Sequence, residues 1–466
     1  MVVMFKTQTY IDRRNRLKQN VKSGVILFLG NEESPMNYPD NHYCFRQDSN
    51  FLYFWGVDLP GLAAIIDIDE DKEILFGRDL TLEDMVWTGP QPTLKELGLK
   101  SGVREVADFE KLEVEMQHAV EKDREVHFLP QYRADNLIKI QHLLGIETAQ
   151  TNEAISVPLI KAVVAQRSYK TDDEIGQIEA ALLISHEMHT LAIKRSKPGQ
   201  YERAAVGAME ELCYSMGGAG FAYPIIFTVN GHVLHNPHHE NMMKEGDIVI
   251  NDAGAESAMH YASDITRTFP VSGKFDQRQQ EIYTIVLEAQ KKAIEAIKPG
   301  VQFRDVHKLT CRHIAAGLNA LGLMKGDADS AVEAGAHALF LPCGLGHMLG
   351  LDVHDMEGLG ENYVGYAEGT IRSTQFGLCS LRLARELEPG FVLTVEPGIY
   401  FIPALIDHWK TERRHEEYIN YNKVDSYRNF GGIRLEDNVL VLKKGHRVLG
   451  KPIPKSIEGI EALSSQ

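Results

Sequence analysis

Residues 248–269 read Ile248-Val249-Ile250-Asn251-Asp252-Ala253-Gly254-Ala255-Glu256-Ser257-Ala258-Met259-His260-Tyr261-Ala262-Ser263-Asp264-Ile265-Thr266-Arg267-Thr268-Phe269. Two β-branched runs flank a polar segment at 256–260. The first run ends on an acid and the second opens on one. The pattern predicts a pair of adjacent antiparallel strands joined by a turn. Strands in a sheet lie about 4.8 Å apart, so Asp252 and Asp264 can reach a common point. An isolated carboxylate in such apolar company is costly to bury.

Further along the chain the same conflict recurs. Glu396 follows Leu393-Thr394-Val395 and precedes Pro397-Gly398, and Glu436 sits in Gly432-Ile433-Arg434-Leu435-Glu436-Asp437. His347 lies in Gly344-Leu345-Gly346-His347-Met348-Leu349-Gly350, a bend whose glycines are expected to let backbone approach a bound group. Four carboxylates carry four negative charges, which two divalent cations neutralise. Without a counter-ion, like charges about 4 Å apart repel by about 4 kcal/mol per pair at an effective dielectric of about 20. An oxygen-rich donor set with one imidazole favours manganese first, with cobalt or zinc as alternatives. Two such ions can activate water and polarise a carbonyl, so the chemistry indicated is hydrolysis.

The chain around these motifs divides in two. The first part alternates short apolar runs, Val25–Leu29 and Ala63–Ile66, with a helical stretch at 111–122, which is an α/β pattern. At Thr171-Asp172-Asp173-Glu174 a capping box opens a helix that carries Ile175, Ile178, Leu182, Met188 and Leu191 and stops at Lys197-Pro198-Gly199. The boundary is expected near residue 165, giving domains 1–165 and 166–466. A second helix over 277–297 also ends in Lys298-Pro299-Gly300. Two helix pairs and two acid-bearing strand runs suggest an internal duplication with pseudo-two-fold symmetry.

Composition bounds the partners. The 466 residues carry a net charge of −16, which disfavours nucleic acid and anionic membrane surfaces. No apolar run reaches the length of a membrane span, and Arg13, Arg14 and Arg16 are not followed by a signal-peptide core. The five scattered cysteines lack CxxC pairing and read as reduced thiols, so a cytoplasmic location is expected.

The segments VINDAGAE, YASDITRTFPVSGKF, GLGHMLGLDVHD, LTVEPGIYF and GGIRLEDNVLV, in this order, resemble the proline-specific metallopeptidases of the creatinase or pita-bread fold, the group of aminopeptidase P and prolidase. Residues 45–56, FRQDSNFLYFWG, are similar to the amino-terminal domain of aminopeptidase P. The resemblance implies an α/β (α+β) protein: an amino-terminal α/β creatinase-like domain and a carboxy-terminal pita-bread catalytic domain. It implies Asp252, Asp264, His347, Glu396 and Glu436 as metal ligands, with Asp264 and Glu436 bridging. It implies His354 at the scissile bond, His235 in the substrate pocket, Glu396 as proton shuttle and Arg434 orienting acids or substrate. A homo-oligomer, dimer or tetramer, is implied as well. The chain departs from the family in three places. The Asp252–Asp264 spacing is one residue longer than expected, Cys343 stands where relatives commonly have histidine, and Asn236 where they commonly have tyrosine.

Two activities compete within this family. An Xaa-Pro aminopeptidase releases the first residue of peptides with proline second, and the amino-terminal domain and the run 263–286 favour it. An Xaa-Pro dipeptidase must clamp the substrate carboxylate. The segment Cys379-Ser380-Leu381-Arg382-Leu383-Ala384-Arg385 resembles the prolidase loop, with Arg382 matching its arginine. The expectation leans to the aminopeptidase. A non-catalytic binding protein on the same fold would have lost ligands, and this chain keeps all five.

Overall fold

The computed structural model describes residues 4–466 as a mixed α/β protein of two compact units. The first runs to Arg167 and includes Glu357–Tyr363; the second comprises Ser168–Met356 and Val364–Gln466. Among the described residues, no helix is long and apolar enough to cross a membrane.

The first unit is built on a five-stranded sheet in the order Glu105–Ala107, Lys72–Phe76, Ala63–Asp67, Val25–Leu29, Val126–His127. Val25–Leu29 is buried along its whole length, as its unbroken apolar run requires. The FRQDSNFLYFWG segment forms the helix Ser49–Trp55. Asp48 caps it by accepting from the Asn50 and Phe51 amides, and Gly56 ends it in the left-handed region at φ 72°. All seven helical residues are buried. The buried Arg14 guanidinium lies 4.7 Å from the Trp55 ring and donates to Glu73 at 2.8 Å.

In the second unit the order helix pair, then acid-bearing strands, occurs twice. The first copy has helices Asp172–Arg195 and Glu202–Ser215, followed by an antiparallel sheet of Ile226–Thr228, Ile248–Asp252 and Thr266–Pro270. The second has helices Gln277–Ala296 and Phe303–Ala320, followed by the antiparallel strands Val392–Val395, Asp437–Val441 and His446–Val448. Thr171 and Glu174 form the reciprocal capping box their spacing predicts. Register aligns the two copies chemically: Asp252 faces Thr266, two residues after Asp264, and Val395 faces Asp437, so Glu396 and Glu436 adjoin that pair. Each copy thus brings two acids to one place.

The two copies are stitched together at that place. The Asn438 side chain donates to the Asp264 carbonyl at 2.6 Å and accepts from the Asp264 amide at 3.1 Å. The Glu436 amide donates to the Thr266 carbonyl at 3.1 Å. Arg267, 1% exposed, donates to the Glu436 carbonyl at 2.7 Å and pairs with Asp437 at 2.7 Å. These bonds leave the carboxylates of Asp264 and Glu436 aimed into the space between the copies.

Candidate metal centre

Asp252 closes its strand, whereas Asp264 lies two residues ahead of strand Thr266–Pro270. The connection between them is more than a turn, because Ala255–Glu256 pairs with Gly220–Phe221. Glu396 follows strand Val392–Val395 directly. Glu436 sits in the break between strands Gly432–Arg434 and Asp437–Val441 instead of within a strand, which frees its side chain from the alternation of either. His347 lies in an irregular loop held to strand Val392–Val395, the Thr394 amide donating to the His347 carbonyl at 2.9 Å.

Gly344 and Gly346 line the cavity that the five side chains share, and tight packing adds a second demand for glycine in this loop. A Cβ on Gly346 would lie 2.1 Å from the Thr394 carbonyl oxygen, and one on Gly350 would lie 2.5 Å from Asp355 Oδ2. Close approach of loop to strand brings His347 beside Glu396, and the glycines make it possible.

The five side chains converge. His347 Nε2 is 3.3 Å from Asp264 Oδ2 and 3.4 Å from Glu396 Oε1. Its Nδ1 donates to the Met348 carbonyl at 3.0 Å, which turns the Nε2 lone pair toward the carboxylates, as a ligand requires. Donor atoms of Asp264, His347 and Glu436 all lie within 4.8 Å of one another. The Tyr223 hydroxyl sits between Asp252 Oδ1 at 2.6 Å and Asp264 Oδ1 at 2.5 Å. Burial and the charges of Asp252 and Asp264 hold its pKa well above ordinary, so it stays a donor.

Electrostatics show what the donor set lacks. Arg434 donates to Asp252 Oδ2 at 2.6 Å, to Thr266 Oγ1 at 3.1 Å and to the Tyr400 hydroxyl at 2.9 Å, so one guanidinium offsets one carboxylate. The remaining acids strain against ionisation. Burial raises the Asp264 pKa, against the His347 contact that lowers it, with Asp252 adding to the rise. Burial raises Glu396 to about 7. Burial, then Asp264, Glu396 and Asp252, drive Glu436 well above the carboxylate range. Burial works to lower His347, but Asp264 and Glu396 overcome it and its pKa stands raised. Thr266 donates to Glu436 Oε2 at 2.8 Å, yet among the described residues Oε1 of this 1%-exposed residue has no partner. A buried, orphaned carboxylate oxygen among three other acids fits a divalent cation.

These residues line a cavity of about 460 Å³ that also exposes His235, His354, Arg382, Arg434 and Cys343. The His354 ring stands edge-on to His347 with centroids 4.3 Å apart. Burial, then the neighbouring His347 and Arg382, lower its pKa to about 2, so it is a neutral imidazole. Burial lowers His235 too, with Arg434 adding. Ile226, Leu234, Pro237 and Val353 supply an apolar wall. Asn236 is not on that wall: its amide donates to Thr228 Oγ1 at 3.0 Å.

Sequence reasoning missed three groups. Tyr223, in Ala222-Tyr223-Pro224, carries no spacing that marks it. Thr394 lies inside a quoted motif, but its hydroxyl's contact with Glu396 Oε1 at 3.3 Å is a product of the fold. Lys170 forms a buried ion pair with Asp355 at 2.9 Å, both side chains 1% exposed, and so anchors the turn that carries His354.

Residues 176–443 match the model of metallopeptidase family M24, and residues 10–127 match the amino-terminal domain of aminopeptidase P. The chain is 34% identical to the Xaa-Pro dipeptidase of Homo sapiens, over 96% of this chain and 90% of that one. It is 34% identical to a probable Xaa-Pro aminopeptidase of Fusarium vanettenii, over 90% and 88%. Among solved structures, Pseudomonas aeruginosa aminopeptidase PepP superposes with a TM-score of 0.82 at 27% identity, over 100% of this chain and 99% of that one. Zinc-substituted Escherichia coli aminopeptidase P in complex with product superposes with a TM-score of 0.79 at 29% identity, over 99% of each.

Proposed function

The chain belongs to metallopeptidase family M24, and from that premise we propose that it hydrolyses the bond before proline in short peptides, with Xaa-Pro dipeptides as preferred substrates. Asp252, Asp264, His347, Glu396 and Glu436 would hold two divalent ions, manganese first. When bound, the ions supply Lewis acidity and an activated water.

The chain's own groups do the rest. His354, neutral at working pH, donates its ring N–H to the carbonyl oxygen of the scissile bond, where negative charge develops. Glu396 carries a proton toward the leaving nitrogen, which in a tertiary amide has none of its own. The proline ring rests on the apolar wall of Leu234, Pro237 and Val353. His235, on the rim, and Arg434, through Asp252, orient substrate and ligand.

One observation carries the preference for dipeptides: Arg382 lines the same cavity as the five ligands and His354. A guanidinium there matches the carboxylate of a two-residue substrate bidentately. Similarity to the human Xaa-Pro dipeptidase along 96% of the chain supports the reading. A second reading, Xaa-Pro aminopeptidase, is supported by the aminopeptidase P amino-terminal domain at residues 10–127 and by the aminopeptidase structures. The intact donor set speaks against a non-catalytic binding protein. A cytoplasmic homo-oligomer completes the reading, in keeping with five free cysteines.

Manganese-loaded protein is tested on Ala-Pro and Ala-Pro-Ala, with and without chelator. The first reading expects the higher kcat/KM on the dipeptide. It also expects Arg382→Ala to lower that value about 10- to 150-fold, the worth of a charge-assisted hydrogen bond of about 1.5–3 kcal/mol, while sparing the tripeptide. Preference for the tripeptide, with Arg382→Ala harmless, favours the second. Cleavage of neither rejects both.

A further inference from the structure

Away from the acidic centre, the second unit encloses a different set of donors. His307 and Cys311 stand four residues apart on one face of helix Phe303–Ala320, and His337 comes from the single turn Ala336–Leu339. All three are buried: His307 and Cys311 are 0% exposed and His337 1%. One donor atom from each lies within 4.8 Å of the other two. Cys311 Sγ is 3.4 Å from His307 Nε2. Metal–sulfur and metal–nitrogen bonds of about 2.3 and 2.0 Å set those atoms about 3.5–3.7 Å apart at tetrahedral to trigonal angles.

A thiol–imidazole hydrogen bond would explain that one contact, but it does not explain His337. Among the described residues neither ring nitrogen of His337 has a hydrogen-bond partner, and His307 Nδ1 has none either. A buried imidazole left unsatisfied costs about 1–3 kcal/mol per group, so the wholly unpartnered His337 ring beside Cys311 and His307 calls for a missing partner, which one ion bound through one of its nitrogens would supply. Both rings are in the ligating form: burial lowers His307 to about 3 and His337 to about 4. Burial, with Cys343 adding, raises the Cys311 thiol well above its ordinary value, so without an ion it keeps its proton.

We propose that His307, Cys311 and His337 form a second metal site, selective for a soft monovalent d10 cation, Cu(I), and separate from the acidic centre. Thiolate is a soft donor and imidazole a borderline one, and together they suit copper(I) far better than manganese. Charge decides between soft ions: one thiolate and one monovalent cation sum to zero, whereas a divalent ion would leave a net positive charge in a closed apolar interior. Three donors satisfy copper(I), and zinc would need a fourth. On binding, the S–H bond breaks, the S–Cu bond forms and the proton leaves to solvent, with no change of oxidation state. The site would tie helix Phe303–Ala320 to the segment at 336–339, which ends eight residues before His347.

The test is anaerobic titration of the full chain with Cu(I) against a chromophoric Cu(I) chelator. One tight equivalent is expected in the native protein and in Asp264→Asn. Affinity should fall at least a hundredfold in Cys311→Ser and in His337→Gln, and stay unchanged in the exposed-cysteine variants Cys44→Ser and Cys379→Ser. X-ray absorption of the copper-loaded protein should show one sulfur and two nitrogens, and copper should raise the melting temperature of native protein but not of Cys311→Ser. Equal affinity in native, Cys311→Ser and His337→Gln proteins, or a sulfur-only shell, overturns the proposal. If either variant fails to fold, the copper shell of the native protein decides alone.

Discussion

Stripping metal from the acidic centre should make stability fall as pH rises, and reloading it should abolish that fall. In the metal-free fold, burial raises Glu396 from 4.5 to about 7. Between those values the native carboxyl keeps a proton that the unfolded chain has lost, so the native state is penalised as pH climbs. At 1.36 kcal/mol per pH unit, Glu396 alone accounts for about 3 kcal/mol across the interval. Asp264 and Glu436 are raised as well and act in the same sense. His347, also raised, contributes stability that is lost as pH passes its folded value, which again has the same sign. Depressed His354 and His235 act oppositely near their ordinary value, but they do so with and without metal and drop out of the comparison. Divalent ions take the place of the protons, so the gap in unfolding free energy between loaded and stripped protein should widen by at least about 3 kcal/mol from pH 4.5 to 7. Urea unfolding at fixed free Mn2+, fitted for the transition that metal shifts, measures it. A gap that stays constant or narrows with pH would refute the reasoning.

Two substitutions probe the scaffold. Lys170→Met strands Asp355 in the interior beside the turn bearing His354 and should cost about 3–5 kcal/mol in urea unfolding; adding Asp355→Leu should return most of it. Gly346→Ala sets a methyl against the Thr394 carbonyl, so the His347 loop must shift. Manganese affinity should drop at least about tenfold in chelator competition while the circular dichroism spectrum is kept.

The candidate donors were readable in the sequence because each acid conflicts with its surroundings. Asp252 and Glu396 follow β-branched runs that bury, and a carboxylate at the end of such a run demands a counter-charge. The helices announced themselves by local chemistry, as with the Thr171–Glu174 capping box. What could not be read depends on tertiary approach. Gly344, Gly346 and Gly350 were expected to let backbone approach a bound group; the first two line the cavity, but the packing of Gly346 on Thr394 and of Gly350 on Asp355 is a product of the fold. Tyr223 meets Asp252 and Asp264 only because the sheet brings residues 29 and 41 positions away against it. His307 and Cys311 share a helix face, but nothing in the sequence ties them to His337 some thirty residues on. Arg382 was visible from its loop, yet its presence in the cavity that holds the ligands is a property of the fold.

The central claim is that five residues, Glu436 among them, would hold two hard ions. Manganese titration followed by the electron paramagnetic resonance of free Mn2+ tests it directly, because a hard ion leaves the sulfur-containing cluster unoccupied. The account predicts two ions per native chain and loss of at least one in Glu436→Gln. A single ion in the native chain, or two retained at unchanged affinity in Glu436→Gln, would contradict it.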